Sequence, residues 1–295
     1  MSGHFTEEDS VRLVNERTAA STNLRFATVM ASLVEHLHTF AKEVSLTQAE
    51  WESAIEFLTA TGKICTSERQ EFILLSDVLG LSMLVDAVNN RRPVGATENT
   101  VLGPFHVEAA PLRARGDSIS LDGVGEPCRF VGRVLDLEGR PIRGALIDVW
   151  SDNADGFYDV QQPDVQPRWN NRGRFVTDSD GTYEYRGIKP VSYPIPDDGP
   201  VGALLARLGR HPYRPAHMHF LVTAPGYQRI VTHTFVDGDE YLDSDAVFGV
   251  KDSLIASYEK VDELQVAWQS SFDFIMVPAV PVDDEDGAQE AEESP

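Results

Sequence analysis

The spacing of apolar residues changes near residue 92, and this change constrains the fold more than any other feature of the chain. Before it, apolar residues recur every three or four positions, as from Phe26 to Val44, which is the spacing of one helical face. After it, short runs of β-branched and aromatic residues alternate with turn residues, as strands do. The sequence therefore predicts a mixed α and β protein, helical first and β-rich afterwards.

The helical region, residues 1–92, is predicted to contain three helices. The second should begin at a capping box formed by Thr47 and Glu50 and end at Gly62, and the third should begin near Ser67. A small helical bundle accounts for this pattern. The apolar stripe is nevertheless wider than three helices can cover for each other, which favours a helical N-terminal dimerisation region.

Residues 93–282 are predicted to form an antiparallel β-sandwich, with a tight hairpin at Asp180-Gly181. The predicted strands are 130–137, 145–150, 174–177, 182–185, 216–223, 229–236 and 274–280. Two long proline-containing connections, 160–169 and 189–200, interrupt them, and loops of this length in a compact domain are usually functional. The acidic residues 283–295 are predicted to form a disordered tail.

Charge and hydropathy exclude several classes of partner. The 295 residues include 47 Asp and Glu against 25 Lys and Arg, a formal net charge of −22. Because like charges repel, neither nucleic acid nor an anionic membrane is an expected partner. The chain has no uninterrupted apolar stretch near the roughly 20 residues of a bilayer span, and its polar, acidic start is unlike a secretory signal. We expect a cytoplasmic protein that does not span a membrane.

Two histidines, His217 and His219, flank Met218 in a predicted strand. Residues two apart on a strand point to the same face, so both imidazoles are placed to bind one metal ion. Taken alone, the pair is a weak signal, and two surface histidines are the more common explanation. Neither a cysteine nor a carboxylate lies at a matching spacing, but Tyr158 and Tyr193 lie in the two irregular loops, where a lone tyrosine usually only packs.

Together, Tyr158, Tyr193, His217 and His219 resemble the ligand set of the intradiol ring-cleaving dioxygenases. The motifs that carry the resemblance are Asp148-Val-Trp, Gly187-Ile-Lys-Pro and Tyr213-Arg-Pro-Ala-His-Met-His-Phe. The resemblance covers nearly the whole chain, including the helical N-terminal part that marks the catechol-type branch.

The resemblance implies one Fe(III) per subunit, held by these four residues. Phenolate is a hard, electron-rich anion that favours Fe(III) over Fe(II), and a trivalent cation in turn favours deprotonated tyrosine. Two catalytic roles are also implied: Tyr193 leaves the metal and accepts a substrate proton, and Arg214 stabilises negative charge on the ring. Without the motif, a surface salt bridge would be the preferred interpretation of Arg214.

The implied substrates are O2 and a small aromatic diol or triol. The segments Val101-Leu-Gly-Pro-Phe-His, Thr232-His-Thr-Phe and 241–251 are similar to family members that cleave hydroxyquinol to 3-hydroxy-cis,cis-muconate. Catechol or a substituted catechol is the alternative substrate. His233 favours hydroxyquinol, because catechol-cleaving members usually have glutamine at this position.

Asp77 also bears on the choice of substrate, because it lies on an apolar face of the third predicted helix. An unpaired carboxylate there would be costly, so it should bind a substrate hydroxyl, a helix N-terminus or an arginine elsewhere in the fold. The remaining pocket-wall residues are matched by resemblance, and most would otherwise be assigned to the core: Leu74, Val101, Leu102, Gly103, Pro104, Phe105, Ile195, Pro196 and Val247.

The resemblance further implies a homodimer formed through the N-terminal helices and, as in similar enzymes, a lipid in the helical region. Two interpretations from other classes compete with it. A β-sandwich binding module with an incidental His-x-His site would need neither iron nor paired tyrosines. A zinc hydrolase would use the two histidines but leave both tyrosines unexplained, since zinc rarely takes phenolate.

Overall fold

A computed structural model describes residues 4–66 and 69–279 of the chain. It divides into two compact units, Met1–Ile64 and Cys65–Pro295. The predicted acidic tail, residues 283–295, lies outside the described residues. Over the described ranges, no helix has both the length and the apolar character that crossing a membrane requires.

The first unit contains helices α1 (Ser10–Thr18), α2 (Leu24–Glu43) and α3 (Gln48–Ile64). The predicted capping box is present: the Thr47 N–H donates to Glu50 Oε2 at 2.9 Å, and the Glu50 N–H donates to Thr47 Oγ1 at 3.3 Å. The predicted end at Gly62 is wrong, because α3 continues to Ile64. A glycine inside a helix costs only about 1 kcal/mol, which the surrounding turns can offset.

The apolar residues of α2 are exposed to a degree unusual for such side chains. None of the residues of this helix is buried. Each of the following is at least 44% exposed, and together they form what we call the α2 apolar face: Phe26, Val29, Leu33, Leu37, Phe40 and Val44.

The second unit begins with two helices where the sequence predicted one. These are α4 (Glu71–Val78) and α5 (Leu81–Asn89), and they are separated at Gly80, whose φ of +74° is left-handed and incompatible with a continuous helix. The start predicted near Ser67 lies outside the described residues. α4 packs against α6 (Pro200–Arg207) through a small apolar cluster that includes Val78, Val201 and Leu205.

The rest of the second unit consists of short strands in two main sheets. The strands are β1 (Pro127–Asp136), β2 (Leu146–Trp150), β3 (Arg172–Val176), β4 (Thr182–Ile188), β5 (Tyr193–Pro194), β6 (Tyr213–Arg214), β7 (His217–Thr223), β8 (Ile230–Val236), β9 (Ile255–Ala256), β10 (Tyr258–Glu263), β11 (Val266–Ser271) and β12 (Phe274–Met276). Among the described residues, one sheet has the order β10-β11-β1-β12 with β4 also on β1, and the other has the order β3-β2-β7-β8-β9. The predicted fold class is confirmed, although β1 pairs in parallel with β11 and β12.

The main apolar core takes side chains from both sheets, including Phe130 and Tyr185 from one and Ile147 and Phe220 from the other. Strand β10 was not predicted because its sequence, Tyr-Glu-Lys-Val-Asp-Glu, is largely charged, and its residues are half-buried or exposed. An edge strand of this kind gives little apolar alternation to detect.

Strands β7 and β8 position the histidines that the sequence singled out. They are antiparallel, with His217 opposite Phe235 and His219 opposite His233. Opposed residues share a face, so His217, His219 and His233 lie on one side of this sheet. Met218, Phe220 and Val222 enter the core on the other side, as predicted.

Candidate metal centre

Four buried side chains bring a nitrogen or oxygen atom to one point in the second unit. Tyr158 Oη lies 2.9 Å from His219 Nε2 and 3.2 Å from Tyr193 Oη. His217 Nε2 lies 3.4 Å from Tyr193 Oη and 3.3 Å from His219 Nε2. The predicted ligands therefore come together from one loop, which carries Tyr158, and from the strands β5 and β7. We call them the four-donor cluster.

The position of Tyr158 depends on a buried ion pair that follows it in the chain. Arg172 Nε donates to Asp159 Oδ1 at 2.6 Å, and both side chains are almost fully buried. Arg172 Nη1 also donates to the Phe105 carbonyl at 2.7 Å. The Phe105 ring stacks on Tyr158 with its centroid 4.5 Å away. One guanidinium thus links the backbone beside Tyr158 to the ring that packs on it.

The two histidines present their Nε2 lone pairs to the cluster. His217 Nδ1 lies 2.7 Å from the Pro215 carbonyl, which can only accept a hydrogen bond, so the His217 proton is on Nδ1. The ring of His219 stacks on Trp150, with centroids 4.8 Å apart and planes 15° from parallel. Its Nδ1 has no hydrogen-bond partner among the described residues.

The spacing of the four donors fits a single bound cation. Ligands about 2.0–2.1 Å from a cation and roughly 90–110° apart are about 2.8–3.4 Å from each other. The observed neighbouring separations run from 2.9 to 3.4 Å. The four-donor cluster therefore has the dimensions and donor types of a metal site.

Burial sets the protonation preferences of these groups. It lowers the pKa of His217 to about 3, with the charge of Arg214 adding to the effect, and it lowers the pKa of His219 well below its usual value. Burial also raises the pKa of Tyr158 and Tyr193 above the usual phenol value. The imidazoles are thus neutral ligands, whereas ionising the phenols requires a cation in contact with them.

Arg214 supplies a fixed positive charge beside the cluster, with Nη1 3.2 Å from His217 Nε2. Burial opposes its charged form, but Asp245, 3.2 Å away, holds the pKa of Arg214 above its usual value. The Asp245 carboxylate also accepts hydrogen bonds from the Val247 and Gly249 N–H groups. Arg214 is in a salt bridge, but a buried one at the site rather than a surface one.

Family models match both parts of the chain. The model described as "Catechol dioxygenase N terminus" matches residues 23–97, and the model described as "Dioxygenase" matches residues 101–278. The chain belongs to the intradiol dioxygenase family. Its resemblance to this family, stated above from the tyrosine and histidine motifs, is confirmed.

Individual intradiol dioxygenases match over almost their whole length. The chain is 53% identical to a hydroxyquinol 1,2-dioxygenase of Rhizobium sp. (strain MTP-10005) over 92% of each protein. It is 50% identical to a 6-chlorohydroxyquinol 1,2-dioxygenase of Cupriavidus pinatubonensis, over 94% of this chain and 99% of the relative. A crystal structure of hydroxyquinol 1,2-dioxygenase from Pseudomonas putida DLL-E4 superposes with a TM-score of 0.89 at 48% identity, covering 92% of this chain and 99% of that one.

The predicted pocket-wall residues fall into three groups. Leu74, Ile195 and Val247 belong to the apolar cluster between α4 and α6. Gly103 and Phe105 lie against the four-donor cluster, because Phe105 stacks on Tyr158 and a Cβ on Gly103 would be 2.9 Å from the His219 ring. Of the others, Val101 is half-buried, and the exposed ones are Leu102, Pro104 and Pro196.

Asp77 lies on α4 and is half-buried. Burial raises its pKa, while the Ser82 side chain and the charge of Arg214 oppose this shift. The positive charge of Arg214 therefore acts on the Asp77 carboxylate. Sequence reasoning singled out Asp77 but missed Asp245, since no local pattern connects Asp245 to its partner 31 residues earlier.

His233 joins His217 and His219 in a group whose ligand nitrogens all lie within 4.8 Å of one another. It is completely buried, and burial lowers its pKa well below the usual value. Its Nδ1 lies 2.6 Å from Thr100 Oγ1. Thr100 was not singled out from the sequence, because its contact with His233 spans 133 positions.

Replacing Gly103 with alanine is expected to remove metal from the purified protein. A Cβ at this position would push on the His219 ring, since their separation would be only 2.9 Å. The matched control is Gly116→Ala, because Gly116 has φ +80° against +77° for Gly103 but nothing within 4 Å of a Cβ. Each substitution should cost roughly 1–2 kcal/mol of folding stability from left-handed backbone strain.

Plasma mass spectrometry of the two variants and the wild type tests this expectation. Gly116→Ala should retain the wild-type metal content, and Gly103→Ala should not. Equal metal content in both variants would show that Gly103 does not protect the position of His219.

Proposed function

We propose that the chain cleaves hydroxyquinol (benzene-1,2,4-triol) with O2, breaking the bond between the two adjacent hydroxylated carbons. Both oxygen atoms of O2 enter the product, 3-hydroxy-cis,cis-muconate, a tautomer of maleylacetate. The observation that carries this proposal is the four-donor cluster beside the buried Arg214. The names of relatives that are about 50% identical over nearly the whole chain support hydroxyquinol as the substrate.

We propose Fe(III), one per subunit, as the metal held by Tyr158, Tyr193, His217 and His219. Two phenol oxygens in a set of four ligands favour a hard trivalent ion over Fe(II) or Zn²⁺. Bound ferric iron would withdraw electron density from a chelating diol and make its ring reactive toward O2. The remaining chemistry belongs to the side chains around it.

Tyr193 Oη is the proposed acceptor of a diol proton. Tyr193 lies in the short strand β5. Among the described residues, β5 pairs with the equally short β6 alone, with Tyr193 opposite Arg214 and Pro194 opposite Tyr213. Tyr158, by contrast, is fixed by the buried Arg172–Asp159 pair beside it. The tyrosine on the shorter support is the better candidate to move away from a metal when a diol binds.

Arg214 is the proposed stabiliser of negative charge that develops on the substrate ring. Its guanidinium is buried, stays protonated and is oriented by Asp245, so it needs no rearrangement as charge develops. The apolar cluster with Leu74, Ile195 and Val247, the Gly103–Phe105 segment and His233 provide the proposed walls for the aromatic ring. Asp77 is the proposed partner of the additional hydroxyl of hydroxyquinol.

Purified protein should contain about one iron per chain and absorb visible light, because phenolate-to-Fe(III) charge transfer lies in the visible range. Chelation or reduction of the iron should remove the colour together with O2 uptake on hydroxyquinol. Iron analysis, absorption spectra and mass spectrometry of the product test these expectations. A colourless zinc protein with a hydrolytic activity, or a protein with full ring-cleaving activity and no iron, would refute the proposed function.

Asp77→Asn is expected to lower kcat/KM for hydroxyquinol more than for catechol. The change keeps the size of the side chain and removes its charge, and only hydroxyquinol has the extra hydroxyl for Asp77 to bind. A charge-assisted hydrogen bond is worth roughly 1.5–3 kcal/mol, or about 10- to 150-fold in kcat/KM. Asp86→Asn on α5 is the matched control and should leave the ratio of the two substrates unchanged.

Steady-state O2 uptake with both diols measures this ratio. Equal proportional loss on the two diols would make Asp77 a structural residue and leave the choice of substrate to His233 or the pocket wall. A wild-type protein that prefers catechol would favour the alternative function, a catechol or substituted-catechol 1,2-dioxygenase.

We also propose a homodimer formed through the N-terminal helices, with the α2 apolar face as its contact, and a lipid as a further ligand of this region. A face with six large apolar side chains at least 44% exposed is rarely left in water. Light scattering should give about twice the chain mass of 32.6 kDa. Leu33→Lys with Leu37→Lys should give the chain mass, and a wild-type monomer would contradict the proposal.

A further inference from the structure

His233 faces the four-donor cluster from the neighbouring strand but is held by a group outside it. It lies directly opposite His219 in the β7–β8 pair, with ring centroids 4.2 Å apart. Its Nδ1 is 2.6 Å from Thr100 Oγ1, while its Nε2 is buried and has no hydrogen-bond partner among the described residues. Buried polar atoms in proteins usually have a hydrogen-bond partner. The unpartnered Nε2 of His233 therefore indicates that its partner is a bound ligand and not a protein group.

Thr100 is fixed in place independently of His233. Its own N–H donates to the Val231 carbonyl at 2.8 Å, and Thr232 Oγ1 donates to the Glu98 carbonyl at 2.8 Å, so residues 98–100 are fastened along β8. Thr100 is buried and immediately precedes the predicted pocket segment 101–105. The position of the Thr100 hydroxyl is therefore set by the backbone and does not depend on the His233 imidazole.

The direction of the Thr100–His233 hydrogen bond decides which nitrogen of His233 carries the proton. No other hydrogen-bond contact of Thr100 Oγ1 occurs in the described part of the chain. If Nδ1–H donated to Thr100, the hydroxyl proton of Thr100 would have no acceptor. If Thr100 donates to Nδ1, one hydrogen bond satisfies both groups and places the imidazole proton on Nε2.

We propose that Thr100 holds His233 in the Nε2–H form, so that His233 donates a hydrogen bond to an anionic oxygen of the bound diol and is not a metal ligand. This inference rests on the proposed function, since it needs an ionised diol at the site. A neutral N–H donor suits a site in which Arg214 already supplies the positive charge. Thr100 is then a positioning residue that acts through His233.

A simple alternative is that the three clustered histidines, His217, His219 and His233, bind the metal together. Their ligand nitrogens lie within 4.8 Å of one another, so distance alone does not separate the two arrangements. A three-histidine site leaves two buried phenols without a role. The protonated Nε2 of the proposed form has no lone pair for a metal.

The test compares Thr100→Val, which removes the hydroxyl but keeps the shape, with Thr100→Ser, which keeps the hydroxyl. Loss of a buried hydrogen bond that leaves its partner unpaired should lower kcat/KM for hydroxyquinol roughly 5- to 150-fold in Thr100→Val. Thr100→Ser should stay within about threefold of wild type. Iron content should be unchanged in both, and the absorption band of the anaerobic diol complex should shift in Thr100→Val and return in Thr100→Ser.

Thr232→Val is the matched control, because the Thr232 hydroxyl holds residues 98–100 against β8 by donating to the Glu98 carbonyl. It should lower the melting temperature but leave kcat/KM within about threefold. In a His233→Gln background, Thr100→Val should lower kcat/KM by less than about threefold further, because the imidazole through which Thr100 acts has been removed. If Thr100→Val does not fold, Thr100→Ala removes the same hydroxyl and decides the question.

Three results would overturn the inference while leaving the proposed function intact. The first is an equal loss of kcat/KM in Thr100→Val and Thr100→Ser. The second is a loss of iron from Thr100→Val in proportion to its loss of activity. The third is that Thr100→Val lowers kcat/KM as much in the His233→Gln background as in the wild type. A wild-type protein without iron or diol cleavage would overturn the proposed function and this inference together.

Discussion

The second unit is organised around four nitrogen and oxygen donor atoms that are brought together away from water. Two neutral imidazoles and two phenols lie with neighbouring donor atoms 2.9–3.4 Å apart, and burial alone would keep the phenols protonated. Such a cluster gives up hydration and gains little from its own internal contacts. A bound cation would compensate for this loss of hydration. The residues around the cluster hold the four atoms at the separations that such a cation needs.

The supports of the cluster differ in rigidity. The histidines are on a central strand of a sheet and have a fixed face, with Pro215 orienting one ring and Trp150 stacking on the other. Tyr158 is held by a buried Arg172–Asp159 pair, and breaking such a pair by removing one partner typically costs 3–5 kcal/mol. Tyr193 lies in the two-residue strand β5, which pairs with the equally short β6. Three ligands on rigid supports and one on a short ladder suit a site that exchanges one ligand for substrate.

The sequence predicts local features better than distant pairs. The period-2 pattern places His217 and His219 on one face and Met218 in the core, and the capping box at Thr47 is visible in four residues. The break at Gly80 is missed because apolar residues continue on both sides of it. Arg214–Asp245 and Thr100–His233 join residues 31 and 133 positions apart, and only tertiary structure creates them. The tyrosines are found by family resemblance, since a tyrosine in a loop has no spacing rule of its own.

Charge balance explains why the proposed reaction needs both a tyrosine that accepts a proton and a fixed arginine. Two phenolates carry two negative charges, the imidazoles are neutral, and Arg214 and Asp245 cancel each other. With a trivalent ion bound, the cluster would carry one positive charge. A diol bound as the dianion would change this to one negative charge in a buried site if both of its protons went to solvent. Protonation of Tyr193 on its release removes that excess, because one phenolate becomes neutral. The remaining donors near the ring can then be a fixed cation and a neutral N–H, which stabilise developing negative charge without adding any to the resting site.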